Sequence, residues 1–221
     1  MVVDDLVSRD SFVGTSLILH QDGRFLYGIR PPKLINNQEI LEITGIGGRL
    51  EKFDVNLTAG VLREACEEIA VGVKIIPCQR TLVVRGLDNV RQVELSGSEQ
   101  PAALVFRDHR TPPHHPWHPV HQDSGCIVVF LGQLSGQPTP SEEIPYLIWM
   151  LPEQIQRTAR DDILIGELID GGALLVGSTG QLPAPQTPAR LTDSQEALAL
   201  ALGDKAADFY IDLLNQISPL I

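Results

Sequence analysis

Residues 45–73 read GIGGRLEKFDVNLTAGVLREACEEIAVGV, a glycine-rich turn followed by carboxylates crowded into a short apolar pattern. Glu64, Glu67 and Glu68 stand at i, i+3 and i+4, the spacing of neighbours on one helix surface. The segment predicts a helix that starts near Asn56 or Thr58, either of which can cap it, and runs to about Ala70. At about 100° per residue the three glutamates share an arc of about 100°. Ala59, Leu62, Ala65, Cys66 and Ile69 fall opposite them and suit burial against a sheet, while Leu57 and Val61 lie nearer the acidic side. Like charges at these spacings repel by a few tenths of a kcal/mol per pair. A hard divalent cation offsets that repulsion, because Mg²⁺ takes oxygen ligands and binds through a few carboxylates plus substrate phosphates. The competing reading is a solvated acidic face, which is what most charge clusters are.

Composition sets the wider limits. A chain of 221 residues that is 43% hydrophobic fits one domain with extensions or two small ones, with a sizeable core. Its 17 Lys and Arg against 28 Asp and Glu give a formal net charge of −11, which disfavours attraction to nucleic acid or to an anionic membrane. A polyanionic substrate would need help from a metal. The first residues, MVVDDLVSRD, carry aspartates where a secretory signal carries positive charge, and no run reaches the roughly 18 apolar residues of a membrane span. The expected location is cytoplasmic. Cys66, Cys78 and Cys126 are odd in number and lack CxxC spacing, so they read as reduced core residues.

Along the chain, SFVGTSLILH (11–20) and RFLYGIR (24–30) are β-rich runs joined by turn residues, which predicts a hairpin. EILEITGIGG (39–48) is a further extended run ending in glycines. Beyond the acidic helix, 73–77, 80–86, 102–108 and 126–134 read as strands. LPEQIQRTA and DDILIGELIDGG read as short helices. QLPAPQTPARLTD (181–193) reads as a Pro-rich connector on the surface, leading to a C-terminal helical pair split at Gly203.

The opening stretch resembles the Nudix box, G-x5-E-x7-R-E-U-x-E-E-x-G-U with U aliphatic. REACEEIAV places Arg63, Glu64, Ala65, Cys66, Glu67, Glu68 and Val71 in register with it, after the pair Gly47 and Gly48. Two positions depart. The upstream glutamate is Asp54, separated from Arg63 by eight residues rather than seven, and the late glycine is Ala70. The likeness extends more weakly over residues 10–160, including SEEIPYLIWMLPEQI.

The resemblance implies an α/β fold of the Nudix type, an α/β/α sandwich around a mixed β-sheet. On this view residues 1–180 form the hydrolase domain with an inserted loop at about 87–124. Residues 181–221 supply the connector and helices, packed on the domain or on the partner subunit of a homodimer. It implies hydrolysis of a nucleoside diphosphate linked to another moiety, by water attack on phosphorus, with Mg²⁺ as the cofactor and Mn²⁺ as a substitute. Glu67 and Glu68 become metal ligands, Glu64 a third ligand or the general base, and Arg63 the group that orients them. The carbonyl at Gly47 becomes a further metal contact. An acidic loop residue, Glu142 or Glu143, competes for the role of base, with Glu143 preferred. The alternative is a catalytically silent ligand-binding or sensor domain.

A second unusual stretch, DHRTPPHHPWHPVHQD (108–123), holds five of the six histidines. His114, His115, His118 and His121 have close spacing, but four prolines interrupt any regular element. The stretch reads as a lid or crossing loop in preference to a zinc site. The leaving moiety of the substrate is not legible.

Overall fold

The computed structural model describes Val3, Val7 and residues 12–87, 89–96, 100–107, 125–177 and 182–217. The His-rich stretch at 108–123 lies outside them.

Strands β1 (Phe12–Gln21) and β2 (Arg24–Ile29) form an antiparallel hairpin. Its turn places Asp22 and Gly23 at φ 50° and 74°, the left-handed pair that matches strand twist in a two-residue loop. A second such turn at Asn36 and Asn37 joins β3 (Lys33–Ile35) to β4 (Gln38–Thr44). Helix α1 (Leu57–Ile69) follows the glycine turn, and then come β5 (Val73–Ile76), β6 (Thr81–Val84), β7 (Val90–Val93), β8 (Ala103–Arg107) and β9 (Gly125–Leu134). β10 (Tyr146–Met150), α2 (Pro152–Thr158), β11 (Ile163–Leu164), α3 (Ile165–Asp170) and β12 (Leu174–Gly177) lead to β13 (Pro188–Leu191), α4 (Asp193–Leu202) and α5 (Ala206–Ile217).

The sheet is mixed. β1 and β9 run parallel at its centre, from Phe12 opposite Gly125 to Leu19 opposite Gly132. The ladder continues through β8, β6 and β7 on one side and through β2, β4, β13 and β11 on the other. Side chains alternate across it with the period of a strand. Leu17, Leu19, Leu26, Val128 and Phe130 pack with Val61, Ala65 and Ile69 of α1. Ile18, Phe25, Tyr27, Val129 and Leu131 pack on the other face with Ile155 of α2, Leu198 of α4 and Tyr210 of α5. Helices therefore cover both faces, an α/β/α sandwich. Among the described residues no helix is long and apolar enough to cross a membrane.

Three sequence expectations are corrected. The stretch 181–193 is more than a surface connector, because β13 pairs parallel with β4 and buries Ala189 and Leu191. Pro188 is the first residue of that strand, a position where a missing N–H is tolerated. The segment from 87 to 124 is also not all inserted loop: besides β8, read from the sequence at 102–108, it contributes β7, which pairs with β6. Finally, Cys66 is exposed rather than buried, unlike Cys78 and Cys126; the buried residues of α1 are Gly60, Val61, Ala65, Glu68 and Ile69.

The C-terminal helices are tied to the sheet by polar contacts as well as apolar ones. The buried Tyr27 hydroxyl donates to that of Tyr210 at 3.3 Å, Tyr210 donates to Gln195 Oε1 at 3.2 Å, and Gln195 Nε2 donates to Ser16 Oγ at 3.2 Å. The Phe25 ring meets Tyr210 edge-on with centroids 4.9 Å apart.

Candidate active site at the glycine turn

Asn56 caps α1 by accepting the Ala59 N–H at 2.7 Å. In this helix Val61 and Glu68 are among the buried residues. The three glutamates then occupy graded environments: Glu68 is 3% exposed, whereas the side chains of Glu64 and Glu67 are 15% and 59% exposed.

Glu68 is held from the turn. Gly47 N–H donates to Glu68 Oε2 at 2.7 Å. Burial pushes the Glu68 carboxyl up to about 8, against the effect of the Gly47 hydrogen bond; the charges of Glu64 and Glu143 push the same way as burial, and Arg30 opposes them. Gly47 adopts φ 146°, and a Cβ there would run into the Thr15 carbonyl. Only glycine lets the turn lie this close to β1.

Glu64 packs against the second glycine, where a Cβ at Gly48 would stand 2.5 Å from its Oε1. Burial raises the Glu64 carboxyl above its ordinary value, the Arg63 hydrogen bond opposes this, and the charges of Glu67 and Glu143 add to the rise. Glu143, on the segment between β9 and β10, is close enough for its charge to act on this cluster. Of the pair Glu142 and Glu143, it is the one whose charge acts on both Glu64 and Glu68.

Arg63 braces the cluster. Its Nε and Nη2 donate to Asp54 Oδ1 and Oδ2 at 3.2 and 3.1 Å, and its Nη1 donates to Glu64 Oε1 and Glu67 Oε2, both at 2.9 Å. Nη2 also donates to the Arg49 carbonyl at 3.1 Å. This fork uses the planar donor geometry that Lys lacks. Asp54, at the place of the upstream glutamate, accepts the Glu51 N–H as well, and the Arg63 hydrogen bond holds its carboxyl below the usual range. Ala70, at the place of the late glycine, still makes the left-handed exit with φ 51°.

As they stand, no three His, Cys, Asp or Glu side chains among the described residues converge as a metal cage. Glu67 is turned onto Arg63, and one Glu68 oxygen is taken up by Gly47. The donor chemistry nonetheless suits a hard cation: the charge of Glu143 acts on both Glu64 and Glu68, and that of Glu64 acts on Glu68.

Sequence reasoning overlooked the neighbouring pocket. A cavity of about 230 Å³ opens on the far side of Gly47 and Gly48 and is lined by Arg30, Arg49, Arg107 and Asp193. The available signal was an arginine closing each of two apolar strand runs, GIR and VFR.

No protein-family model matches the sequence, and no curated protein matches it. Among solved structures, the fold is similar to that of a NUDIX hydrolase from Nitrosomonas europaea, at 12% identity over 66% of this chain and 76% of that one, with TM-score 0.43. It is similar to a MutT protein from Methanosarcina mazei at 18% identity, covering 66% of this chain and 80% of that one, TM-score 0.41. A MutT NUDIX hydrolase from Burkholderia pseudomallei aligns over 86% of this chain and 95% of its own length at 16% identity, TM-score 0.39. These are likenesses of chain path.

Proposed function

We propose that this chain is a divalent-metal-dependent hydrolase of the Nudix type that cleaves a nucleoside diphosphate linked to another moiety by water attack on phosphorus. The observation that supports the reading is the gathering of Glu64 and Glu68 against the Gly47–Gly48 turn, within reach of the charge of Glu143 and with Glu68 almost fully buried. Crowded carboxylates destabilise one another and are retained where a cation or a proton transfer uses them.

Glu64, Glu67 and Glu68 would hold Mg²⁺ or Mn²⁺, with the Gly47 carbonyl beside them. When bound, the cation neutralises phosphate charge and favours ionisation of water. Arg63 positions Glu64 and Glu67 through charge-assisted hydrogen bonds, and Asp54 anchors Arg63 in turn. Glu143, whose charge reaches Glu64 and Glu68, is the candidate general base that would take a proton from an attacking water, with Glu64 as its competitor for that role. The partner is thus a small nucleotide derivative, and the net charge of −11 disfavours nucleic acid.

The test is product release from a panel of nucleoside diphosphate derivatives with Mg²⁺, with Mn²⁺ and with chelator. Cleavage that requires the cation and stops in chelator is expected. Saturable binding of a panel member with no cleavage under any metal would instead make this a silent sensor domain.

A further inference from the structure

The cavity beyond the glycine turn is chemically distinct from the carboxylate cluster. Gly47 and Gly48 form the wall between them, and the cavity draws Thr15 from β1, Arg30 from the end of β2, Arg107 from β8, and Asp193 and Ser194 from α4. Arg107 is 6% exposed. Its Nη2 donates to Asp193 Oδ1 at a long 3.4 Å, and its buried Nε meets no acceptor among the described residues. The buried Nε of Arg30 and the hydroxyl of Thr15 are likewise without partners there. Arg49 stands on the rim with its guanidinium 5.5 Å from the centre of the Phe12 ring.

These are unusual choices for a chain of net charge −11. Three arginines and one aspartate line this cavity, with the carboxyls of Glu68 and Glu196 within electrostatic reach of Arg30 and Arg107. A buried guanidinium N–H without an acceptor is costly, and an anion in the cavity would recover that cost. Planar guanidinium forks match phosphate oxygens. Asp193 sits at φ 61°, a strained backbone for a residue with a side chain, and its long ion pair is a weak tie for Arg107. α4 is fixed in place by the hydrogen bonds from Tyr210 to Gln195 and from Gln195 to Ser16.

We propose that this cavity is an anion subsite that receives a phosphate monoester carried on the substrate beside the scissile diphosphate. Arg107 and Arg30 anchor the phosphate, Arg49 closes the rim, and Asp193 yields its place on Arg107. The substrate class narrows to nucleoside diphosphate derivatives that bear an additional phosphate, and α4 becomes part of recognition. The word substrate rests on the hydrolase reading above; the anion site itself does not.

The experiment is calorimetric titration of the full chain with inorganic pyrophosphate in excess chelator, where no cation contributes. Saturable binding is expected, weakened at least tenfold in Arg107→Gln, severalfold in the rim variant Arg49→Gln, and unchanged in Glu167→Gln on the exposed face of α3. Arg49 is exposed, so its variant keeps the test valid if Arg107→Gln does not fold. No binding to the wild type, or equal binding to both arginine variants, overturns the site. A second arm compares kcat/KM for two dinucleotides that differ only by a phosphate monoester, NADPH and NADH. A preference for the phosphorylated one that disappears in Arg49→Gln is expected. Arginine-dependent pyrophosphate binding with hydrolysis indifferent to the extra phosphate would make this a site for free anion and overturn the substrate assignment. Binding with no hydrolysis of any panel member would remove the hydrolase reading and leave the anion site standing.

Discussion

Ala70 ends α1 with φ 51°, where a Cβ costs roughly 1–2 kcal/mol. Glycine relieves that strain and gives back part of it as unfolded-chain entropy. Ala70→Gly is therefore expected to stabilise the protein by ~0.5–1 kcal/mol, seen as a melting temperature higher by roughly 2 °C. A lower melting temperature would show that the exit from α1 is not strained. At this scale the sequence was informative about chemistry and less so about orientation. The spacing of Glu64, Glu67 and Glu68 put them on one arc, as found. Periodicity alone does not say how far the arc is turned toward the sheet. Val61 was placed near the acidic side and is fully buried, and the same rotation carries Glu68 inward and Cys66 outward. Arg63 was expected to orient the glutamates, and its hydrogen bonds to Glu64 and Glu67 have that geometry.

Among the elements, α4 combines structural and electrostatic demands. Glu196, in its first turn, has its carboxyl pushed up to about 7 by burial, with Asp193 and Asp162 adding to the rise and Arg190 and Arg107 opposing it. A carboxyl with a raised folded-state pKa favours the fold while protonated. That contribution is complete below about pH 4.5 and is lost as pH rises through about 7. Because the group is partly exposed, screening reduces the loss to about 1 kcal/mol. Glu196→Gln should melt several degrees above the wild type at pH 8 and at the same temperature near pH 4, by thermal unfolding across pH. A difference independent of pH would contradict this. Elements made of strong β-formers, such as β1, β2 and β9, were legible. β13 was not, because its four residues, PARL, follow a Pro-rich run and carry no alternation long enough to read. Its place is set by pairing with β4, a long-range contact that no local pattern announces.

For the molecule as a whole, the sandwich of helices on a mixed sheet was legible from the box and its flanking strands, whereas the sequence left open whether the last forty residues pack on the domain or on a partner subunit. Ala189, Leu191, Leu198, Tyr210 and Leu213 all belong to the buried core on the face away from α1. Exposing a large apolar side chain costs roughly 1.5–3 kcal/mol, and several together approach the total stability of a domain. A chain truncated before Gln181 is expected to lose cooperative thermal unfolding; a melting temperature equal to that of the full chain would show the extension to be dispensable. The claim that joins fold to function is that the α1 carboxylates gather to hold a divalent cation for hydrolysis. Its most direct measurement is the initial rate against Mg²⁺ concentration for wild type, Glu67→Gln and Glu68→Gln on a nucleoside diphosphate derivative that the wild type cleaves. Each variant keeps the size of the side chain and should remain folded, with Glu68→Gln gaining stability because a neutral group replaces a buried carboxylate. Turnover should fall by on the order of 10²-fold and half-maximal Mg²⁺ should rise, while wild-type turnover with unchanged Mg²⁺ dependence in both variants would contradict the account.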